Sequence, residues 1–182
     1  MMARHACWET IVAHELFSAM QDWDGTSAAA LAAVYVEHSG RCDFQTNLIS
    51  ACQNPATERA ATWLVKHHCE TGKSSFSPEA CTRLYMTLPA FEAWDAQLHV
   101  LQVMDFLPVP KEAAQVVFDV ARDGANSAQK LICAWSLYGV AKLAAEHPEY
   151  RAAAKAILEE AAQLAPKGAI AVRLRKAQAL LP

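Results

Sequence analysis

Three adjacent residues, His67, His68 and Cys69, come closest to a metal-binding cluster in this sequence. Imidazole and thiolate groups are common zinc ligands. On a helix, however, neighbouring side chains point about 100° apart, whereas ligand pairs that share an ion lie three or four positions apart. The spacing therefore favours a helix end at which a histidine acts as a cap and Cys69 is packed. We expect no metal ion and no other cofactor.

The six cysteines of the chain show no spacing that is typical of a metal or redox motif. No two of them form a C-x-x-C pair, so neither a zinc knuckle nor a redox dithiol is predicted. Cysteine outside such motifs usually behaves as a small buried hydrophobic residue, and we interpret most of them in this way. The set is Cys7, Cys42, Cys52, Cys69, Cys81 and Cys133.

The sequence assigns no catalytic residue. It contains no G-x-S-x-G, P-loop, H-E-x-x-H or G-x-G-x-x-G motif. Glu159 and Glu160 are adjacent on an alanine-rich helix, which is typical of a solvated surface. Asp105 and Asp119 could act only if they faced a groove, and nothing in their spacing selects them.

Five tryptophans could provide flat surfaces for a ligand or partner: Trp8, Trp23, Trp63, Trp94 and Trp135. The last three fall at apolar positions of predicted helices, where large aromatic side chains usually pack against neighbouring elements. Packing is therefore the favoured interpretation for each. A tryptophan that was also exposed would be the best anchor for a partner, and Trp63 is our candidate aromatic anchor.

Charge is distributed unevenly along the chain, although its net value is only −3. Residues 1–150 carry ten basic and 17 acidic residues, whereas residues 151–182 carry six basic and two acidic ones. The acidic body disfavours binding to nucleic acid, because it repels phosphate. The basic end is either the solvated face of a terminal repeat or a site for an acidic partner. It consists of Arg151, Lys155, Lys167, Arg173, Arg175 and Lys176.

The elements that must position these residues are helices. The chain contains 37 alanines and only six glycines, and alanine is the strongest helix former. Proline and glycine residues separate the apolar segments, as expected for helix starts and ends. The predicted helices cover residues 6–22, 27–38, 41–53, 55–71, 78–88, 91–106, 110–123, 127–146, 148–165 and 168–181.

These helices form pairs whose first members begin near residues 6, 41, 78, 110 and 148. Helix pairs that recur at this interval are typical of armadillo and HEAT arrays, in which each pair buries its apolar face against the next. We therefore predict an all-α protein with one domain over residues 1–182, an α-α superhelix (HEAT-like solenoid) of about five helix pairs.

Three segments resemble a group of uncharacterised bacterial HEAT-like proteins: AATWLVKHHCETG, AWDAQLHVLQVMDFLPVP and ICAWSLYGVAKLAAEHPEYR. Val172 and Arg173, with Ala177 and Leu180, also match the V-R-x-x-x-A-x-x-L pattern of a second HEAT helix. Most of the similarity lies between residues 50 and 182. The resemblance implies an α-solenoid and no particular chemistry.

Two functions are compatible with this interpretation. The first is a non-enzymatic scaffold whose second helices form a concave surface for a protein or peptide. The residues proposed to bind that partner are Arg59, Lys66, Lys130, Arg173 and Lys176. The alternative is a HEAT-like nucleic-acid-binding enzyme of the DNA alkylation-repair glycosylase type, which rests on analogy of fold. A HEAT-like lyase that acts on a small chromophore has no support beyond the fold.

The sequence indicates no contact with a membrane. The first residues place histidine and glutamate where a secretory signal needs an apolar run, and no stretch approaches the roughly 18 to 20 apolar residues of a spanning helix. We expect a cytoplasmic protein.

Overall fold

The computed structural model describes residues 14–72 and 76–181, and these residues contain α-helices and no strand. Two short 3-10 turns, Leu88–Ala90 and Pro148–Tyr150, precede the sixth and ninth helices. The helices are α1 (14–21), α2 (Ala28–His38), α3 (Phe44–Ala51), α4 (Glu58–Thr71), α5 (Pro78–Thr87), α6 (Trp94–Val103), α7 (Lys111–Gly124), α8 (Lys130–Glu146), α9 (Arg151–Gln163) and α10 (Gly168–Leu180).

The helices occur where the sequence predicts them, and local signals explain several of their ends. Ser27 and Ser77 cap α2 and α5 by accepting hydrogen bonds from the backbone three residues later. Pro78 is the first residue of α5, as predicted. Gly72 ends α4 in the left-handed conformation. The part of the first predicted helix before residue 14, with Cys7 and Trp8, lies outside the described residues.

The helices pack in two series. The even-numbered helices contact one another in order, from α2 through α4, α6 and α8 to α10. The odd-numbered helices α3, α5 and α7 contact one another in the same way, and α3 packs on α4 as α7 packs on α8. We call the even-numbered helices the second helices, because each is the second member of its pair.

The hydrophobic core repeats with the same interval as the helix pairs. One leucine from each second helix is almost completely buried, and successive members of the set lie 33, 37, 36 and 37 residues apart. The set is Leu31, Leu64, Leu101, Leu137 and Leu174. These residues belong to one contiguous cluster of buried residues that extends to both ends of the described chain. The pairs therefore bury their apolar faces against each other.

Helices α7 and α8 approach closely where Gly124 lies against Ser136. A Cβ atom on Gly124 would lie 2.3 Å from Ser136 Oγ and 3.1 Å from Ser136 Cβ. Ser136 is fully buried, and its hydroxyl has no hydrogen-bond partner among the described residues. The contact is therefore tight and contains an unsatisfied polar atom.

Substitution of Ser136 by alanine is expected to raise the free energy of unfolding by about 1 kcal/mol, because it removes a buried hydroxyl that makes no hydrogen bond. Gly124→Ala should lower it by a similar amount, since overpacking outweighs the better helix propensity of alanine. In the Ser136→Ala background, Gly124→Ala should cost about 1 kcal/mol less. Urea unfolding of the wild type, the two single variants and the double variant measures these free energies. If the effects of the two substitutions were strictly additive, the close contact between Gly124 and Ser136 would be contradicted.

Among the described residues, no helix combines the length and the apolar character that a membrane span requires.

Candidate functional site

The candidate surface lies on the second helices, where side chains of successive helices contact one another. Hydrogen bonds between these helices, or between a second helix and the turn that follows the preceding one, join residues that are about one helix pair apart in sequence. Thr62 Oγ1 lies 3.1 Å from His99 Nδ1, and the Tyr138 hydroxyl donates to Asp105 at 2.6 Å. The polar contacts therefore follow the same repeat as the buried leucines.

Arg59 is held at the start of α4 by groups from both neighbouring repeats. Its Nε lies 2.8 and 3.0 Å from the two carboxylate oxygens of Asp95, and its Nη2 lies 2.7 Å from one of them. Nη2 also donates to the carbonyl oxygen of Gly25 at 3.3 Å, and the guanidinium lies 5.6 Å from the ring of Trp23. The hydrogen bonds to Asp95 raise the pKa of Arg59. This predicted binding residue is thus already engaged within the protein.

Trp63 forms an aromatic stack on the same helix. Its ring lies almost parallel to that of His67 at a centroid distance of 4.9 Å, and His67 meets Tyr35 of α2 edge to face at 4.7 Å. Trp63 is half-buried and packs against the hydrophobic core. The expected packing role is therefore confirmed for Trp63. For Trp94, at the start of α6, that expectation is wrong, because this residue is 48% exposed. Lys66, one turn away, forms an ion pair of 3.0 Å with Glu70.

The cluster of His67, His68 and Cys69 diverges, as the helical geometry predicts. The His68 ring is buried and is joined by hydrogen bonds to Tyr35 and Gln45, whereas His67 stacks on Trp63. These bonds connect helices, which differs from the expected helix cap. Burial raises the pKa of the Cys69 thiol to about 12, so the thiol is neutral. Residues 14–72 and 76–181 contain no group of three or more potential ligands placed to hold a metal ion.

A second aromatic and basic group lies where α10 packs on α8. The guanidinium carbon of Arg173 is 3.3 Å from the ring centroid of Trp135 and 5.5 Å from that of Tyr138. The two rings meet edge to face at 5.7 Å. Burial, together with the hydrogen bond to Asp105, raises the pKa of Tyr138 to about 12, so its hydroxyl remains a donor at neutral pH.

The predicted binding cations differ in whether they already have a carboxylate partner. Arg59 and Lys66 have one, in Asp95 and Glu70. Lys130, Arg173 and Lys176 form no ion pair with any residue that the structure describes; Lys130 and Lys176 are exposed, and Arg173 is half-buried against Trp135. The uncompensated positive charge of this surface is therefore concentrated on α8 and α10.

Asp105 and Asp119 both bind neighbouring side chains of the protein. Asp105 accepts the hydrogen bond from Tyr138. Asp119 lies on α7, pairs with Arg122 at 2.8 Å and accepts a hydrogen bond from Gln115. The two carboxylates thus bind different partners and form no shared site.

Tyr138 and Asp95 belong to the candidate surface but were missed in the sequence. A signal for both was present. Asp95 lies 36 residues after Arg59, and Tyr138 lies 33 residues after Asp105, which is the interval of the helix pairs. Residues of complementary chemistry at that interval lie side by side, on adjacent second helices or, for Asp105, in the turn that follows α6.

Comparisons of the chain with protein-family models, with curated proteins and with solved structures find no match.

Proposed function

We propose that the protein is a non-enzymatic binding module of the HEAT-like α-solenoid type, whose second helices present their surface to a peptide segment of a partner protein. The solenoid arrangement is supported by the buried leucines that recur in every second helix and by side-chain hydrogen bonds with the same interval. It is also supported by the order in which the second helices contact one another. Arrays of this kind provide extended binding surfaces without a deep pocket.

One observation carries the proposal: aromatic and basic side chains lie together on the second helices in fixed positions. Trp63 is stacked on His67, and Trp135 lies beneath Arg173. Tryptophan and arginine are the residues that contribute most to protein interfaces. Because neighbouring side chains already hold these groups, little conformational entropy is lost when a partner binds.

The distribution of charge favours a peptide over a nucleic-acid duplex. A duplex requires several cations that neutralise phosphates along one face. On the second helices, Arg59, Lys66 and Lys142 each lie within 4 Å of a carboxylate of the protein itself. An extended peptide with a few acidic residues needs fewer free cations.

The structure also determines which variant can test this surface. Charge reversal at Arg59 would break its bonds to Asp95 and Gly25, so a loss of binding would not be specific. Lys130 is exposed, has no ion-pair partner in the described part of the chain and is the first residue of α8. Lys111 is the first residue of α7, outside the second helices, and is exposed as well. The two lysines therefore form a matched pair.

We expect Lys130→Glu to weaken binding of the partner about fivefold, or about 1 kcal/mol, and Lys111→Glu to leave it within twofold. The partner is first captured by a photo-crosslinking residue at Leu131 on α8, with the same residue at exposed Leu164 as control. A peptide of the partner crosslinked at Leu131 and not at Leu164 supports the surface. Equal crosslinking at both positions, or equal effects of the two charge reversals, would overturn the proposal.

A further inference from the structure

Arg173 has the geometry of an anion receptor. Its guanidinium carbon lies only 3.3 Å from the centroid of the Trp135 ring, so the flat faces of the two groups are in contact. Cation–π contact of this kind attracts the positive charge to the ring face. The N–H donors of a stacked guanidinium lie in its own plane, parallel to the ring face, so stacking leaves them able to form two parallel hydrogen bonds with an oxyanion.

The aromatic platform beneath Arg173 is itself held in place. Trp135 and Tyr138 pack against the hydrophobic core and meet edge to face. The Tyr138 hydroxyl donates to Asp105 of the preceding repeat at 2.6 Å. These contacts hold the two rings in place. The guanidinium stacked on Trp135 is therefore already oriented before a ligand binds.

Arg173 forms no ion pair with an acidic residue that the structure describes. The carboxylate of Asp105 accepts the hydrogen bond from Tyr138. Lys176, one turn further along α10, is exposed and forms no ion pair with the described residues, which adds a second positive charge on the same helix. A carboxylate or phosphate placed at Arg173 would therefore find an oriented donor group that no ion pair occupies, with a second cation one turn away.

We propose that Arg173, supported by Trp135 and assisted by Lys176, binds an oxyanion carried by the partner peptide. The oxyanion is the carboxylate of an acidic side chain or the phosphate of a phosphorylated serine; both use the same planar pair of donors. This inference rests on the proposed function, which it deepens by specifying that the bound segment is acidic or phosphorylated.

The binding of the full chain to defined peptides is measured by nuclear magnetic resonance of arginine Nε–H and tryptophan indole N–H groups at low salt. Two probes are anionic: acetylated hexaglutamate, and an acetylated peptide in which three phosphoserines alternate with glycines. Acetylated hexaglutamine is the neutral control. The Arg173 and Trp135 resonances should shift with one or both anionic probes and not with hexaglutamine. The probe with the lower dissociation constant identifies the source of the oxyanion.

Variants of two arginines on α10 test the location of the site. Arg173→Gln should weaken binding of the better probe at least tenfold, and Arg173→Lys should give an intermediate value, because charge is kept and the planar pair of donors is lost. Arg175→Gln removes the same charge from an exposed residue of the same helix. Its dissociation constant for the better probe should stay within twofold of the wild-type value. Unchanged thermal unfolding of the Gln variants shows that the fold is retained.

Two results would overturn the inference: equal weakening by Arg173→Gln and Arg175→Gln, which indicates unspecific attraction, or no shift at Arg173 with either anionic probe. Neither result affects the crosslinking experiment at Leu131, which tests the surface with the natural partner. If crosslinking at Leu131 fails while Arg173 still binds the anionic probes, the oxyanion site stands and the proposed function falls.

Discussion

Replacement of Glu58 by alanine is expected to lower the free energy of unfolding by about 3 kcal/mol. Glu58 is only 3% exposed, and its carboxylate reaches from the first turn of α4 to the chain just before α6. One oxygen accepts a hydrogen bond from the backbone N–H of Ala93 at 2.6 Å and the other from that of Glu92 at 3.3 Å. Alanine would leave both donors without this acceptor and create a void, and each effect costs about 1 to 3 kcal/mol.

Urea unfolding measures the loss in the free energy of unfolding. If the slope of this free energy against urea concentration is unchanged, the same two states are compared in both proteins. Glu58→Gln keeps the shape and one acceptor, so it should lose about half as much stability. Glu70→Ala, an exposed position on the same helix, should lose no more than about 0.5 kcal/mol despite its ion pair with Lys66. A loss below 1 kcal/mol for Glu58→Ala would contradict the capping role.

Glu58 also explains why the start of α6 could not be read from the sequence. The pattern predicts a helix from residue 91, whereas α6 begins at Trp94. Pro89 lies in a short 3-10 turn, Leu88–Ala90, and the N–H groups just before α6 are capped by a carboxylate from the preceding helix pair. Local propensity contains no information about a cap that lies more than 30 residues away.

The interior of the helices was more predictable than their connections. Alanine content, apolar periodicity and glycine position identify each second helix, because these signals act within one or two turns. The prolines were less informative. Of the four prolines at predicted helix starts, Pro78 opens an α-helix, whereas Pro110 immediately precedes α7, Pro148 opens a 3-10 turn, and Pro55 lies before the start of α4.

The candidate site shows the same limit. Relative to the buried leucines, Arg59 lies five residues before Leu64 and Arg173 one residue before Leu174. Arg59 is bound to Asp95 of the following repeat, whereas Arg173 is stacked on Trp135 of the preceding one. A search for complementary residues one repeat apart would have found the pair of Arg59 and Asp95. It would not have found the cation–π contact, because tryptophan at that interval is also compatible with simple packing.

His99 should make the stability of the protein depend on pH. It lies on α6 with its Nδ1 3.1 Å from the Thr62 hydroxyl, whose oxygen also lies 2.7 Å from the carbonyl oxygen of Glu58. The pKa of His99 is lowered to about 4, mainly by burial; Lys66 and Arg59 contribute to the decrease, and Asp95 and Glu70 oppose it. The imidazole is therefore neutral in the folded protein at neutral pH.

The unfolded chain binds a proton at His99 near pH 6.5, whereas the folded protein does so only near pH 4. Between these values the unfolded state holds more protons, so stability falls as the pH is lowered through this window and is fully present above it. The contribution lost between pH 7 and about pH 4.5 is on the order of 2 kcal/mol. Below pH 4 the group is protonated in both states and contributes no further change.

Carboxylates also titrate in this acidic range and change the stability. Comparing the wild type with a variant that lacks His99 separates the contribution of His99 from theirs. Urea unfolding of the wild type and of His99→Gln at pH 7 and about pH 4.5 should show that the wild type loses about 2 kcal/mol more than the variant over this interval. Glutamine cannot be protonated and retains a group able to bond the Thr62 hydroxyl. Equal losses in the two proteins would mean that His99 is hydrated in the folded state. That result would also contradict the close packing of α4 on α6, on which the surface of the second helices depends.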